Sequence, residues 1–169
     1  MIRVDIEPMR HEDISEVQEI ERAVFPTPWS RATFEREIER PEFHRLIVAK
    51  LGERIVGYAC LFYVLDEGHV TNIGVAPEFQ GKGVGTQLML SLVKFAMAKG
   101  VRRLMLEVRP DNRVAQRLYR KFGFFMTGVR RGYYTDTGED AYIFWTGDIR
   151  SERYENLLRE IEEQIKKAA

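Results

Sequence analysis

At 169 residues the chain has the length of one domain, and 44% apolar with 31% charged residues exclude both a disordered chain and a membrane-embedded bundle. Lys+Arg number 26 and Asp+Glu 26, so a chain-wide polycation built to coat nucleic acid is excluded and no direct nucleic-acid reading is expected. The single cysteine, Cys60, excludes an internal disulfide and a Cys-rich zinc site, and no metal centre is expected. Met1–Arg10 mixes charges without an apolar h-region, and no window offers the ~18 uncharged apolar residues of a membrane span, so the expectation is a cytoplasmic protein that meets no membrane.

In chain order, Ile2, Val4 and Ile6 alternate as an opening strand. Ile14, Val17, Ile20 and Val24 recur at helical spacing after Asp13, a candidate N-cap. Pro26 and Pro28 break that helix and leave the loop Phe25-Pro26-Thr27-Pro28-Trp29. Ser30 caps a second helix carrying Ala32, Phe34 and Ile38. Leu46–Leu51 and Ile55–Leu65 read as a hairpin about Gly52-Glu53, and His69–Val75 as a further strand after the turn Asp66-Glu67-Gly68. Gly81–Gly85 lead into a helix with Leu88, Leu92, Val93 and Ala96 on one side and Gly100 as its C′ residue. Leu104, Leu106 and Val108 alternate as a strand, and Asp111 or Asn112 caps a helix that carries Val114, Ala115, Leu118, Tyr119 and Phe122 and ends at Gly123.

Two last strands, near Phe124–Arg131 and Ala141–Asp148, flank the turn Thr135–Gly138. From Ser151 a helix sets Tyr154, Leu157, Leu158, Ile161 and Ile165 on one stripe, to be covered by its own domain or by a partner. Hairpin-dominated strands with helices inserted at two points give an α+β class, a mixed sheet covered by helices. Residues 1–150 are expected to form the domain and 151–169 an amphipathic helical extension. Cys60 is expected to be a small buried residue without chemistry.

The zero net charge hides a division: residues 80–131 hold 12 basic and 2 acidic side chains, against 9 and 15 before them and 5 and 9 after. Within that basic stretch lies Gln80-Gly81-Lys82-Gly83-Val84-Gly85-Thr86. Three glycines at alternate positions let backbone N–H groups converge, and the helix that follows adds its partial positive charge, which makes an anion site. It is not the nucleoside-triphosphate loop, which ends a four-residue spacer in Gly-Lys-Ser/Thr. Nor is it Gly-x-Gly-x-x-Gly, whose third glycine would fall at Thr86.

Gln80-x-x-Gly83-x-Gly85 after the strand His69–Val75, together with Asn112, Ala115, Leu118, Tyr119, Phe122, Gly123 and Phe124, resembles the acetyl-CoA site of the GNAT acetyltransferases. Leu106-Glu107-Val108-Arg109, Gly132-Tyr133-Tyr134 and Gly138-Glu139-Asp140-Ala141-Tyr142 resemble the N-terminal protein acetyltransferases among them, the bacterial ribosomal-protein alanine acetyltransferases and archaeal protein N-α-acetyltransferases. The resemblance implies a sheet that is mostly antiparallel and splays between two central parallel strands, His69–Val75 and Leu104–Val108. It implies acetyl-CoA as cofactor, held by Ile73, Gly74 and Val75 of the first strand, by Gln80, Gly81, Lys82, Gly83, Val84, Gly85 and Thr86, and by Asn112 and Tyr119. Arg113, Arg117 and Lys121 are candidates for its outer phosphate. The implied partner is a protein N-terminus, at the ribosome or free, acetylated by a monomer or weak dimer.

Acetyl transfer to an amine needs a base for the amine and a proton for the departing thiolate. By alternation Glu107 points away from Leu106 and Val108, and the resemblance makes it the general base. His69 opens the neighbouring strand and suits proton transfer near pH 7; archaeal relatives carry a catalytic His there and the bacterial enzymes do not. Tyr119 lies seven residues from Asn112, on nearly one helical face, and its phenol is implied as proton donor to the thiolate. Phe25, Pro26, Thr27 and Trp29, with Tyr133 and Tyr134, are implied to hold the acceptor peptide. Some relatives carry an acid where Thr27 stands, which leaves the acceptor's side chain open. A small amine or lysine as acceptor, or an acyl-CoA sensor without turnover, are the competing functions.

Overall fold

The chain runs β1 (Asp5–Pro8), α1 (Ile14–Val24), α2 (Arg31–Ile38), β2 (His44–Leu51), β3 (Arg54–Val64), β4 (Glu67–Val75), α3 (Val84–Ala98), β5 (Arg103–Val108), α4 (Arg113–Lys121), β6 (Phe125–Tyr134), β7 (Glu139–Trp145) and α5 (Glu152–Ala168). This computed structural model describes residues 1–168; residue 169, the last of the expected extension, lies outside the described residues. The strands form one sheet in the order β1-β2-β3-β4-β5-β7-β6. Every pairing is antiparallel except β4 with β5.

Alternation along the strands sorts the two faces. Leu104, Leu106 and Val108 of β5 join Leu88, Leu92 and Val93 of α3, Tyr119 of α4 and Phe144 of β7 in one core. Tyr154, Leu158, Ile161 and Ile165 of α5 enter the same core, so the stripe of the last helix is covered by its own chain. On the opposite face Ile14, Val17 and Ile20 of α1 and Phe34 of α2 pack on Leu46, Val48, Tyr58 and Cys60. Ser30 caps α2 by accepting from Thr33 N at 3.3 Å. Gly100 and Gly123, at φ +86° and +80°, end α3 and α4 as left-handed residues.

Two local expectations are corrected. Residues 2–4 do not join the sheet: Ile2 N donates to Lys82 O (3.0 Å), while Gln87 accepts from Val4 N (3.1 Å) and donates to Ile2 O (2.7 Å). The backbone groups that a strand would use are taken by the glycine loop and α3. Asp13 stands at the N-cap position of α1 but its side chain does not cap it; it closes a 3-10 turn, His11–Asp13, and its carboxylate accepts instead from Arg10 N at 2.9 Å.

β4 contains a bulge. Cys60 pairs with Asn72 but Leu61 with Val70, which leaves Thr71 as the extra residue. The bulge reverses the faces: Val70 enters the α3 core, whereas Asn72 reaches α1.

Candidate active site

The register of β4 on β5 stops at His69↔Met105, although the strands run on to Val75 and Val108. Beyond that rung they separate around a cleft of about 1050 Å³, walled by both strands, the loop before α3, the start of α4, the α1–α2 loop and the β6–β7 hairpin.

At one end of the cleft Gly81 and Gly83 sit at φ +74° and +85° on either side of Lys82, the alternation of a backbone nest. Gly83 occupies the N-cap of α3 and offers no side-chain acceptor. Among the described residues the N–H groups of residues 81–86 reach no protein acceptor, so the first turn of α3 presents free donors and a partial positive charge. Gln80 Nε2 anchors the loop to Val75 O at 3.0 Å. Lys82 turns its ammonium over the Phe79 ring, 5.7 Å from the centroid.

Where the strands part, His69 Nε2 and Glu107 Oε2 lie 2.6 Å apart. His69 pairs with Met105, two residues from Glu107, so both side chains stand on one face of the sheet. The Glu107 side chain is 9% exposed and that of His69 30%, which sets the carboxylate at the inner end of the pair and the imidazole at the outer end.

Tyr119 is buried against Phe124 and Phe144, and burial, with Tyr134 nearby, pushes its phenol well above the usual tyrosine range. It lines the cleft, and among the described residues its hydroxyl has no hydrogen-bond partner. Asn112, rather than Asp111, caps α4: its Oδ1 accepts from Ala115 N at 3.2 Å.

At the other end two lips face each other, Phe25, Pro26, Thr27 and Trp29 from the α1–α2 loop and Tyr133 and Tyr134 from the hairpin. Thr27 Oγ1 donates to Asp136 Oδ2 at 2.7 Å and closes the gap between them. Arg109, at the end of β5, donates to Glu139 (2.9 Å), Thr137 (3.1 Å) and Asp136 (3.2 Å) and lies 3.8 Å from the centroid of the Tyr134 ring. The Thr27 hydroxyl, with Arg109, holds the Asp136 carboxyl below its usual range. Burial raises the phenol of Tyr134, against the pull of Arg109, to about 12. Burial and the Glu107 carboxylate raise that of Tyr133.

Of the site residues selected from sequence, all line the cleft except Lys82, His69 and the outer-phosphate candidates Arg113, Arg117 and Lys121. Those missed are Glu21, Tyr58, Asn72 and Asp136, along with the contacts by which Arg109 holds the hairpin. Glu21 left a signal, an acid one residue past Ile20 within the apolar period of α1; the Arg109–Asp136 contact left none, because it forms only when the hairpin folds back over β5.

The sequence profile described as Acetyltransferase (GNAT) family matches residues 14–124. The chain belongs to the GNAT acetyltransferase family. Relatives of the GNAT chain include a protein of Bacillus subtilis (strain 168) provisionally named a ribosomal protein bS18-alanine N-acetyltransferase, 45% identical over 81% of this chain and 91% of its own length. The N-alpha-acetyltransferase RimI of Mycobacterium tuberculosis (strain ATCC 25618 / H37Rv) is 39% identical over 82% of this chain and 89% of its own. The crystal structure of the ribosomal-protein-S18-alanine N-acetyltransferase from Escherichia coli superposes with a TM-score of 0.78 at 31% identity, covering 89% of this chain and 97% of that one.

A GNAT enzyme of this kind is an acetyl-CoA-dependent N-acetyltransferase, and the residues present fit that cofactor. The free N–H groups of Gly81–Thr86 suit a pyrophosphate. The unpaired edge of β4 past His69 suits an amide-bearing arm, and the orphan hydroxyl of Tyr119 meets the cleft between them.

Proposed function

We propose that this enzyme acetylates the α-amine at the N-terminus of protein chains, ribosomal proteins among them, as a cytoplasmic monomer. Acetyl-CoA, when bound, supplies an activated acetyl thioester. The backbone of Gln80–Thr86 holds its pyrophosphate, the open edge at Ile73, Gly74 and Val75 aligns its pantetheine arm, and Asn112 and Tyr119 flank that arm from α4. Glu107 takes the proton of the acceptor amine at Oε2, and His69 shares it at Nε2 and passes it outward to water. As the amine nitrogen bonds to the acetyl carbon and the C–S bond breaks, Tyr119, neutral because burial raises its phenol, supplies the proton at the departing sulfur. It regains one from water in the cleft it lines, which balances the proton released through Glu107 and His69.

The observation that carries the choice of acceptor is the Thr27–Asp136 bond. It joins the two lips over the acceptor end, so a polypeptide enters by its end; a lysine within a continuing chain needs a groove open on both sides. The ordinary pKa values agree: an α-amine near 7.7–8.0 is far more often neutral at pH 7 than a lysine near 10.4. The names of the bacterial relatives point the same way, and the cover that α5 finds within its own chain supports the monomer.

The test compares a short peptide with a free N-terminus, the same peptide with its terminus blocked and one lysine present, and spermidine. The free terminus is expected to react fastest by kcat/KM. Faster transfer to the blocked lysine peptide or to spermidine overturns the assignment while leaving fold and cofactor in place.

A further inference from the structure

The geometry points to Glu21 as a positioning residue that sets the acceptor lip against the sheet; the inference rests on the functional reading above. Glu21 stands in the last turn of α1, is 1% exposed, and lines the floor of the cleft. Its carboxylate accepts from three separate segments. Oε1 takes Asn72 Nδ2 at 2.6 Å, from the part of β4 beyond the bulge, and the Tyr58 hydroxyl of β3. Oε2 takes the backbone N–H of Trp29 at 2.7 Å, from the α1–α2 loop.

Each partner is aimed for this purpose. Without the extra residue Thr71, Asn72 would face the α3 core, so the bulge delivers its amide to Glu21. Tyr58 crosses Gly74 so closely that a Cβ there would lie 2.7 Å from the Tyr58 ring, and only glycine lets the hydroxyl through. The Trp29 amide lies between Pro28 and the Ser30 cap of α2, a segment that has no strand or helix ladder of its own. One buried carboxylate therefore joins the open edge of β4, where the cofactor arm is expected, to the lip that meets the acceptor.

All three partners are donors, and a carboxylate meets each as an acceptor. A carboxamide in its place has one acceptor oxygen; turned to keep both partners of Oε1, it sets an NH2 against the Trp29 N–H and breaks the single bond that holds the loop. Loss of a hydrogen bond to a charged acceptor corresponds to about tenfold or more in the step it supports.

The experiment measures steady-state kinetics of Glu21→Gln, Glu21→Asp and Tyr58→Phe with whichever acceptor the wild type uses best, so that a wrong acceptor class does not disturb it. Acetyl-CoA affinity is measured by calorimetry and the melting temperature alongside. The Glu21 variants are expected to raise the acceptor KM about tenfold, with acetyl-CoA affinity within about twofold. Tyr58→Phe removes a donor to the same carboxylate but leaves the Trp29 bond, so its acceptor KM is expected to stay within about twofold. Two folded Glu21 variants with wild-type acceptor KM overturn the proposal. So does a parallel loss of kcat, acceptor KM and cofactor affinity that tracks the fall in melting temperature in all three variants. Failure of both Glu21 variants to fold would make the residue structural only, and would overturn it too.

Discussion

His69 Nε2 and Glu107 Oε2 meet at 2.6 Å on the last rung where β4 and β5 still pair. A buried carboxylate and a half-exposed imidazole are thus held at the point where the two central strands part, by strands rather than loops, and the pair opens toward solvent on the imidazole side. Glu107→Gln is expected to lower kcat by about 10²-fold or more, the scale of a lost general base, with acetyl-CoA affinity nearly unchanged. His69→Ala is expected to cost less, because Glu107 keeps its access to the amine. Rates and calorimetry check both, and a wild-type rate in the double variant would exclude the pair from proton transfer.

Tyr119 offers a cleaner separation of chemistry from stability. Its ring packs on Phe124 and Phe144, whereas its hydroxyl has no hydrogen-bond partner among the described residues. Tyr119→Phe keeps the packing and deletes no internal hydrogen bond, so the denaturation midpoint is expected to stay at the wild-type value. The rate of transfer is expected to fall about 10²-fold. A folded variant with an undiminished rate would remove the phenol from the reaction.

The glycine-loop half of the candidate site is legible in the sequence because it is local: the glycine loop, the helix it opens, and Asn112 with Tyr119 are each set within a dozen residues. Strand faces were legible for the same reason, since alternation along Leu104–Val108 alone puts Glu107 opposite the core. The parallel pairing of β4 with β5 came from the family resemblance, as nothing in either strand names its neighbour. The Thr71 bulge left no trace, because a single unpaired residue in β4 is defined by its register on β3. Arg109 was read as part of a motif, but its partners Glu139, Thr137 and Asp136 lie some thirty residues on. The opening strand was misread because Ile2 and Val4 alternate correctly and yet are claimed by Lys82 and Gln87.

The glycine loop can be tested without filling the cleft. A Cβ at Gly81 would meet nothing within 4 Å, so Gly81→Ala adds only the strain of a left-handed alanine at φ +74°, about 1–2 kcal/mol. Gly83→Val adds the same strain and a close approach to the Met1 side chain. Both are expected to loosen the nest and weaken acetyl-CoA binding, Gly83→Val the more, by about tenfold or greater. Calorimetry with a folded Gly83→Val protein of unchanged affinity would take the loop out of the cofactor site.

Alkaline stability follows from the same buried tyrosines. Burial raises the phenols of Tyr58, Tyr119 and Tyr154, and Tyr134 reaches about 12. In the unfolded chain they titrate near 10. Above pH 10 the unfolded state therefore binds fewer protons than the native one, and unfolding becomes easier as pH rises. The contribution is complete below pH 10 and is lost as pH climbs through the native values, with a slope of at most about 1.4 kcal/mol per pH unit for each fully buried phenol. Tyr154 donates to Phe122 O at 2.6 Å from within the core, so Tyr154→Phe is expected to cost about 1 kcal/mol at pH 8 and to flatten the alkaline slope. Urea midpoints from pH 8 to 11 read both effects. A wild-type midpoint that does not fall over that range would mean that these phenols ionise in the native state as easily as in the unfolded one.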